Sequence, residues 1–213
     1  MTQEKMILNK QEFEALVRSI RRPGADLDRL LDKLENSDFY YAPASTKYHL
    51  ACDGGLCEHS LNVYHNLNRL VKSTPGLAPY CYDEDSLKIV SLFHDISKMN
   101  IYEKTSKNVK KYCEDGDKRD ELGRFRWVAE PSFTTRDKKF VFGSHESTSE
   151  YIIRQYIPLN IDESVAILHH MGTLGWDSAK DNIAEVYSHY QLSLLLHVAD
   201  MISTYVTENT ENE

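Results

Sequence analysis

Six residues with metal-binding side chains follow one another along this chain: His59, the adjacent pair His94-Asp95, His145, His170 and Asp200. Imidazole and carboxylate together suit a divalent transition metal such as iron, manganese, cobalt, nickel or zinc, and a set this large has room for one ion or for two sharing a bridging water. Two ions of that kind hydrolyse phosphate esters. No short stretch holds the set, so a fold must carry five distant segments to one point.

Each residue has a plainer reading to be weighed beside the metal. Asp200 lies in the run LSLLLHVADMIS, where a bare buried carboxylate would cost several kcal/mol unless a metal, a cation or hydrogen-bond donors met it. His197 sits three positions earlier on nearly the same face, as a core histidine or a support for a ligand. Adjacent helical residues such as His94 and Asp95 diverge by about 100°, so both reach metal only near a helix end, where Asp95 is the natural bridge. His145 opens a helix after Gly143-Ser144 and His170 closes another before Met171-Gly172. Alone each suits a surface or capping histidine; as a pair they offer the ligands a second ion would need. His169 competes with His170 on spacing, while His49, His65 and His189 read as structural. Lys98, about one helical turn past His94, suits a phosphate oxygen or simply a helix C-terminus.

The elements that must position these residues read as one domain over positions 1–213, with 41% hydrophobic content. Two amphipathic helices are predicted near Gln11–Ile20 and Asp26–Leu34 within an N-terminal segment, 1–50, divided by Arg22-Pro23-Gly24. The core is predicted over 54–101 and 143–206. It begins with a helix after Gly54-Gly55 that turns His59, Val63, Leu67 and Leu70 to one face and ends at Pro75, Gly76 and Pro79. The next helix, DEDSLKIVSLFHDIS, is apolar nearly all round and therefore buried. Helical periodicity returns over His145–Tyr156 and Asp162–His170, and a last helix of about 20 residues is expected from Ile183. Positions 207–213 read as a frayed acidic tail. Between the two core segments, 102–142 loses the helical period, and RFRWVAE and KKFVFG carry strand-forming residues, which predicts a hairpin or extended flap.

Charge and cysteine content narrow the partners. The net charge of −8 argues against a long nucleic-acid footprint. Lys104 to Lys139 nevertheless holds 11 basic and 7 acidic residues, a local +4 that leaves −12 on the rest. Asn108, Lys110, Arg124, Arg126 and Trp127 within it could contact a nucleotide, cations on phosphate and Trp127 on the base. Cys52, Cys57, Cys81 and Cys113 show no Cys-x-x-Cys spacing, so free thiols are expected. MTQEKMILNK lacks the apolar core of a signal peptide and no run is long enough to span a bilayer, which sets the expected location as cytoplasmic without membrane contact.

His59 in GGLCEHSLNVY, His94-Asp95 in LFHDISK and Asp200 in LLLHVADMI together resemble the signature of the HD-domain superfamily of metal-dependent phosphohydrolases. GGLCEHSLNV is similar to the opening of members that include 3′-5′ exoribonucleases and many bacterial and phage hydrolases. GSHESTS and AILHHMG resemble the extra histidine segments of two-metal members, which implies His145 and His170 as ligands and favours His170 over His169. HDISK stands where many members have HDIGK, and the GYP motif of cyclic-di-GMP phosphodiesterases is absent. The resemblance runs from about Gly54 to Tyr205 and implies an all-α helical bundle, with 102–142 as an insert that most members lack.

The implied activity is hydrolysis of a phosphate mono- or diester of a nucleotide or short oligonucleotide, with Asp95 and Lys98 at the reacting centre. Two rivals belong to other classes: a di-iron oxygenase built on the same ligands, and a module that senses a nucleotide without turnover. Oligomeric state is not legible, since no heptad or exposed apolar stripe marks an interface.

Overall fold

Two glycines decide where the helix carrying His59 begins. In this computed structural model, which describes residues 1–74, 83–136, 143–174 and 182–209, Gly54 takes φ +80°, a left-handed conformation suited to glycine, just ahead of α3 (Gly55–Ser73). A Cβ on Gly55 would stand 2.1 Å from the Leu50 carbonyl oxygen and 2.9 Å from the Ala44 amide nitrogen, so glycine is what lets the preceding loop lie against the helix. The 3.6-residue period then carries Leu56, His59, Val63 and Leu67 inward, all of them buried. Pro75, Gly76 and Pro79, the expected helix stop, lie outside the described residues, as does Cys81.

The neighbours of α3 form for equally local reasons. Asp83 caps α4 (Glu84–Phe93), Glu84 and Asp85 sit at the positive end of its dipole, and every residue from Ser86 to Phe93 is buried. Thr2 caps α1 (Gln3–Ser19), accepting from the Lys5 amide at 3.3 Å, so this helix starts ahead of the expected Gln11. Asp26 caps α2 (Leu27–Glu35). Phe13 of α1 stands 5.0 Å from Phe39 and 5.7 Å from Phe93 between ring centroids, which fastens the N-terminal helices to α4. The Arg22 guanidinium grips both oxygens of buried Glu163, and the Ser86 hydroxyl donates to the same carboxylate at 2.7 Å. Arg22 and Ser86 thereby lock the chain between α1 and α2, and α4 itself, to α6.

Beyond the strands come α5 (His145–Arg154), capped by Ser144, and α6 (Ile161–Leu168), opened by a capping box of Asn160 and Glu163. The expected single last helix is two. Tyr190, at φ −128° and ψ 75°, breaks it into α7 (Ile183–His189) and α8 (Gln191–Ile202), and α8 runs into a π-helical turn, Ser203–Thr207. No proline or glycine marks that break. Helix α3 packs on α4 and α8, and α6 on α4 and α8, so these four surround the centre.

The all-α expectation is corrected by a three-stranded antiparallel sheet, β1 (Tyr102–Tyr112), β2 (Lys118–Asp120) and β3 (Gly123–Thr135), in the order β1-β3-β2. The chain is helix-dominated but mixed in class. RFRWVAE falls in β3, whereas most of KKFVFG lies outside the described residues. The strand missed by pattern is β1, whose four lysines disguise it; its pairing sets Val109 against Val128, Tyr112 against Phe125 and Lys107 against Glu130. Of the expected frayed tail, 207–213, Thr207 ends the π-helical turn and Glu208 is buried, while 210–213 lie outside the described residues. No helix among the described residues is long and apolar enough to cross a membrane.

Gly55→Ala should destabilise the protein by about 1–3 kcal/mol through overpacking against the Leu50 carbonyl. An unchanged denaturant midpoint would show that the loop does not press on the helix.

Candidate metal centre

Asp95 occupies the turn between α4 and a 3-10 turn, Ile96–Lys98, and is 2% exposed. Its two oxygens look in different directions. Oδ2 lies 3.4 Å from His94 Nε2, 3.7 Å from His59 Nε2 and 2.7 Å from Lys98 Nζ. Oδ1 lies 3.5 Å from His145 Nε2 and 3.7 Å from His170 Nε2. One carboxylate thus faces two pairs of imidazoles, as a bridge between two ions would. Asp200 of α8 completes the set, with Oδ1 3.1 Å from His59 Nε2 and a carboxylate oxygen within 4.8 Å of ligand atoms on His94 and His170. All six sequence-predicted ligands therefore converge, and the neighbours His170 and His169 are separated by burial. His170 is wholly enclosed, whereas His169 is half-buried and outside the cluster.

The ring nitrogens are set up to coordinate. His94 Nδ1 lies 2.9 Å from the Ser91 carbonyl oxygen and His170 Nδ1 lies 2.7 Å from that of Ile167. A carbonyl only accepts, so each Nδ1 carries a proton and each Nε2 points toward Asp95; burial leaves His94 Nε2 with its lone pair, whereas burial of His170 is outweighed by Asp95, which raises its pKa. His197 Nδ1 donates to the His170 carbonyl at 2.6 Å and steadies that segment from behind. Gly172, at φ +56°, passes so close to His197 that a Cβ there would come within 2.9 Å of its ring.

Asp95 Oδ1 and His170 Nε2 are both buried without a hydrogen-bond partner among the described residues, and their 3.7 Å separation is too long for one. A carboxylate oxygen and an imidazole nitrogen facing each other across such a gap fit a cation between them, a proton on His170 or a metal ion in its place. The donor set, nitrogen and oxygen without thiolate, suits the divalent transition metals expected from sequence.

Charge in the metal-free protein is balanced by protons. Burial works against protonation of His59, but the Glu208 and Asp200 carboxylates outweigh it and hold its pKa up at about 10. Burial holds His94 down at about 3, with the His170 and His59 rings adding to it. His145 is held at about 4, again first by burial. Burial also disfavours the Asp95 anion, yet Lys98 and the neighbouring imidazoles keep it well below the usual carboxylate range.

Two participants escaped the sequence. Glu208 accepts from His59 Nδ1 at 3.0 Å and from the Asn62 amide at 2.9 Å. It orients His59 as carboxylates orient metal-bound histidines. Nothing in the acidic TENTENE marks it, because its role depends on the π-helical turn that returns the chain to α3. His49, read as structural, stands with its ring centroid 4.7 Å from that of His59. Burial first, then the His59 charge, depress its pKa to about 4. His65 and His189 are exposed, and His65 pairs with Glu12.

The residues nominated on the insert are not brought to the cluster. The cavity beside it, about 240 Å³, is walled by Lys98, His49, His59, His145, His197 and Asp200 among others, and by none of Asn108, Lys110, Arg124, Arg126 or Trp127. Asn108 is exposed, Lys110 pairs with Asp120, and Arg126 pairs with Asp115. Arg124 donates to the Gly116 carbonyl, and Trp127 lies edge-on to Phe125. All five belong to the sheet, in β1 or β3.

His59 holds two protons below about pH 10 in the metal-free protein and must yield one to coordinate through Nε2. Metal uptake near neutral pH should thus release about one proton per chain or more, and affinity should rise with pH toward that value. Calorimetric titration in buffers of different ionisation enthalpy reads the count, and zero protons would contradict the assignment. Glu208→Gln should weaken metal affinity ~10–100-fold while the fold persists, and unaltered affinity would remove Glu208 from the centre. No family model, curated protein or solved structure matches this chain.

Proposed function

We propose that the chain is a metal-dependent phosphohydrolase of the HD-domain type that cleaves a phosphate mono- or diester of a nucleotide or short oligonucleotide. The observation that carries this reading is the division of Asp95, one oxygen toward His59 and His94 and the other toward His145 and His170. Bound divalent ions supply Lewis acidity and bring a coordinated water's pKa toward neutrality, which is the chemistry phosphate-ester hydrolysis needs. The ligand order along the chain, with its resemblance to the HD-domain signature, supports the same reaction class.

The chain's own residues then divide the work. Asp95, His59, His94, His145, His170 and Asp200 would hold the ions. Glu208 keeps the His59 proton on Nδ1 and its Nε2 directed at the centre. Lys98 reaches Asp95 Oδ2 at 2.7 Å from the cavity wall. With Asp95 engaged by metal, the ammonium would be available to meet a non-bridging phosphate oxygen and offset the charge that develops there. Burial opposes the charged form of Lys98, and Asp95 overrides it, raising the pKa so that the cation persists at neutral pH.

Elemental analysis of wild type should find two ions per chain, falling to about one, with loss of turnover, in His145→Ala/His170→Ala. One ion in both proteins would retire the two-metal site. Lys98→Ala should keep its metal and lose ~10²–10³-fold in kcat on phosphate esters. Iron as the native metal, with oxygen consumption and no ester cleavage, would establish the oxygenase instead; saturable nucleotide binding without product would establish the sensor.

A further inference from the structure

With the insert residues away from the cavity, the part of the substrate beyond its phosphate needs another partner. The cavity mouth supplies one. Tyr48, from the loop ahead of Gly54, is 79% exposed, and Tyr205, from the π-helical turn after α8, is 61% exposed; both line the cavity. Leu174, 70% exposed, and Met201 extend the same apolar rim. Aromatic and aliphatic side chains left in water around one opening, above a floor of buried charge, mark a ligand site more than a monomer surface.

Between rim and floor are a few hydrogen-bonding groups. His49 has both ring nitrogens buried and unpartnered among the described residues. His197, whose Nδ1 is committed to the His170 carbonyl, and Thr204 line the same wall. From floor to mouth the chemistry is anion-binding, then polar, then flat and apolar. A phosphate, a sugar and a base have that order. A bare sugar phosphate would leave the rim in water, and an alkyl phosphate would leave His49 unpaired and the tyrosine faces unused.

We propose that Tyr48 and Tyr205 hold the base of a nucleoside phosphate whose phosphoryl group lies on the metal and Lys98 floor, and that they set the specificity of this site. The phosphoryl end of this inference rests on the hydrolase reading above; the base end rests on the rim alone.

Equilibrium dialysis of manganese-loaded protein against adenosine 5′-monophosphate and ribose 5-phosphate, which differ by the base, tests it. Wild type should hold the nucleotide ~10-fold or more tighter, the size of one base stacked on an aromatic ring. Tyr48→Ala and Tyr205→Ala should each bring the ratio down toward one, and Tyr48→Phe and Tyr205→Phe should restore it. Equal affinity of wild type for the two ligands overturns the proposal, as does a ratio that survives in both alanine variants. Product analysis on a panel of phosphate mono- and diesters separates this from the parent reading. Nucleotide preference with no ester cleaved retires the hydrolase and keeps the base site. Ester cleavage by a protein that binds both ligands equally retires the base site and keeps the hydrolase.

Discussion

A carboxylate enclosed among four imidazoles governs this structure. Asp95 is buried where an anion is costly, and each element around it brings something that answers its charge. Helix α3 brings His59, α4 ends on His94, α5 starts on His145, the chain after α6 supplies His170, and the 3-10 turn supplies Lys98. The helices meet at their ends as much as along their sides, so a ligand set scattered over most of the chain closes on one point. Bidentate Arg22 on Glu163 and the Phe13, Phe39 and Phe93 cluster fix how those elements pack, at a distance from the centre itself.

His59 is the residue whose protonation a bound metal would change most. In the metal-free protein its second proton, with Lys98, opposes the carboxylates of Asp95, Asp200 and Glu208. A divalent ion held by His59 Nε2 would stand in for that proton, and the Nδ1 bond to Glu208 would be kept. The centre is therefore held in shape by hydrogen bonds to carbonyls and to Glu208 that need no metal, which is what preorganisation of a ligand set means in physical terms. Lys98 both contacts Asp95 and lines the cavity, and this connects the electrostatics of the centre to the cavity beside it.

The clustered His and Asp residues were legible in the sequence where a metal-favouring type met a position that helical periodicity turned inward: His59 on the apolar face of α3, Asp200 inside an apolar run. The helices were legible for the same reason, and their starts could be read from Asp26 and Asp83. Other features depended on contacts that no local pattern encodes. Tyr190 breaks the last helix with an ordinary residue, β1 hides behind its lysines until β3 pairs with it, and Glu208 acts only because the π-helical turn returns it to α3. Arg126 and Trp127 were nominated on charge and aromaticity alone; the sheet places them outside the lining of the cavity beside the cluster.

The central claim is that Asp95 bridges two ions. Anomalous scattering from manganese-soaked crystals tests it most directly. The account predicts two peaks about 3.5–4 Å apart, the usual spacing of paired hydrolytic metals, one beside each Asp95 oxygen. A single peak, or two that do not share Asp95, would contradict it.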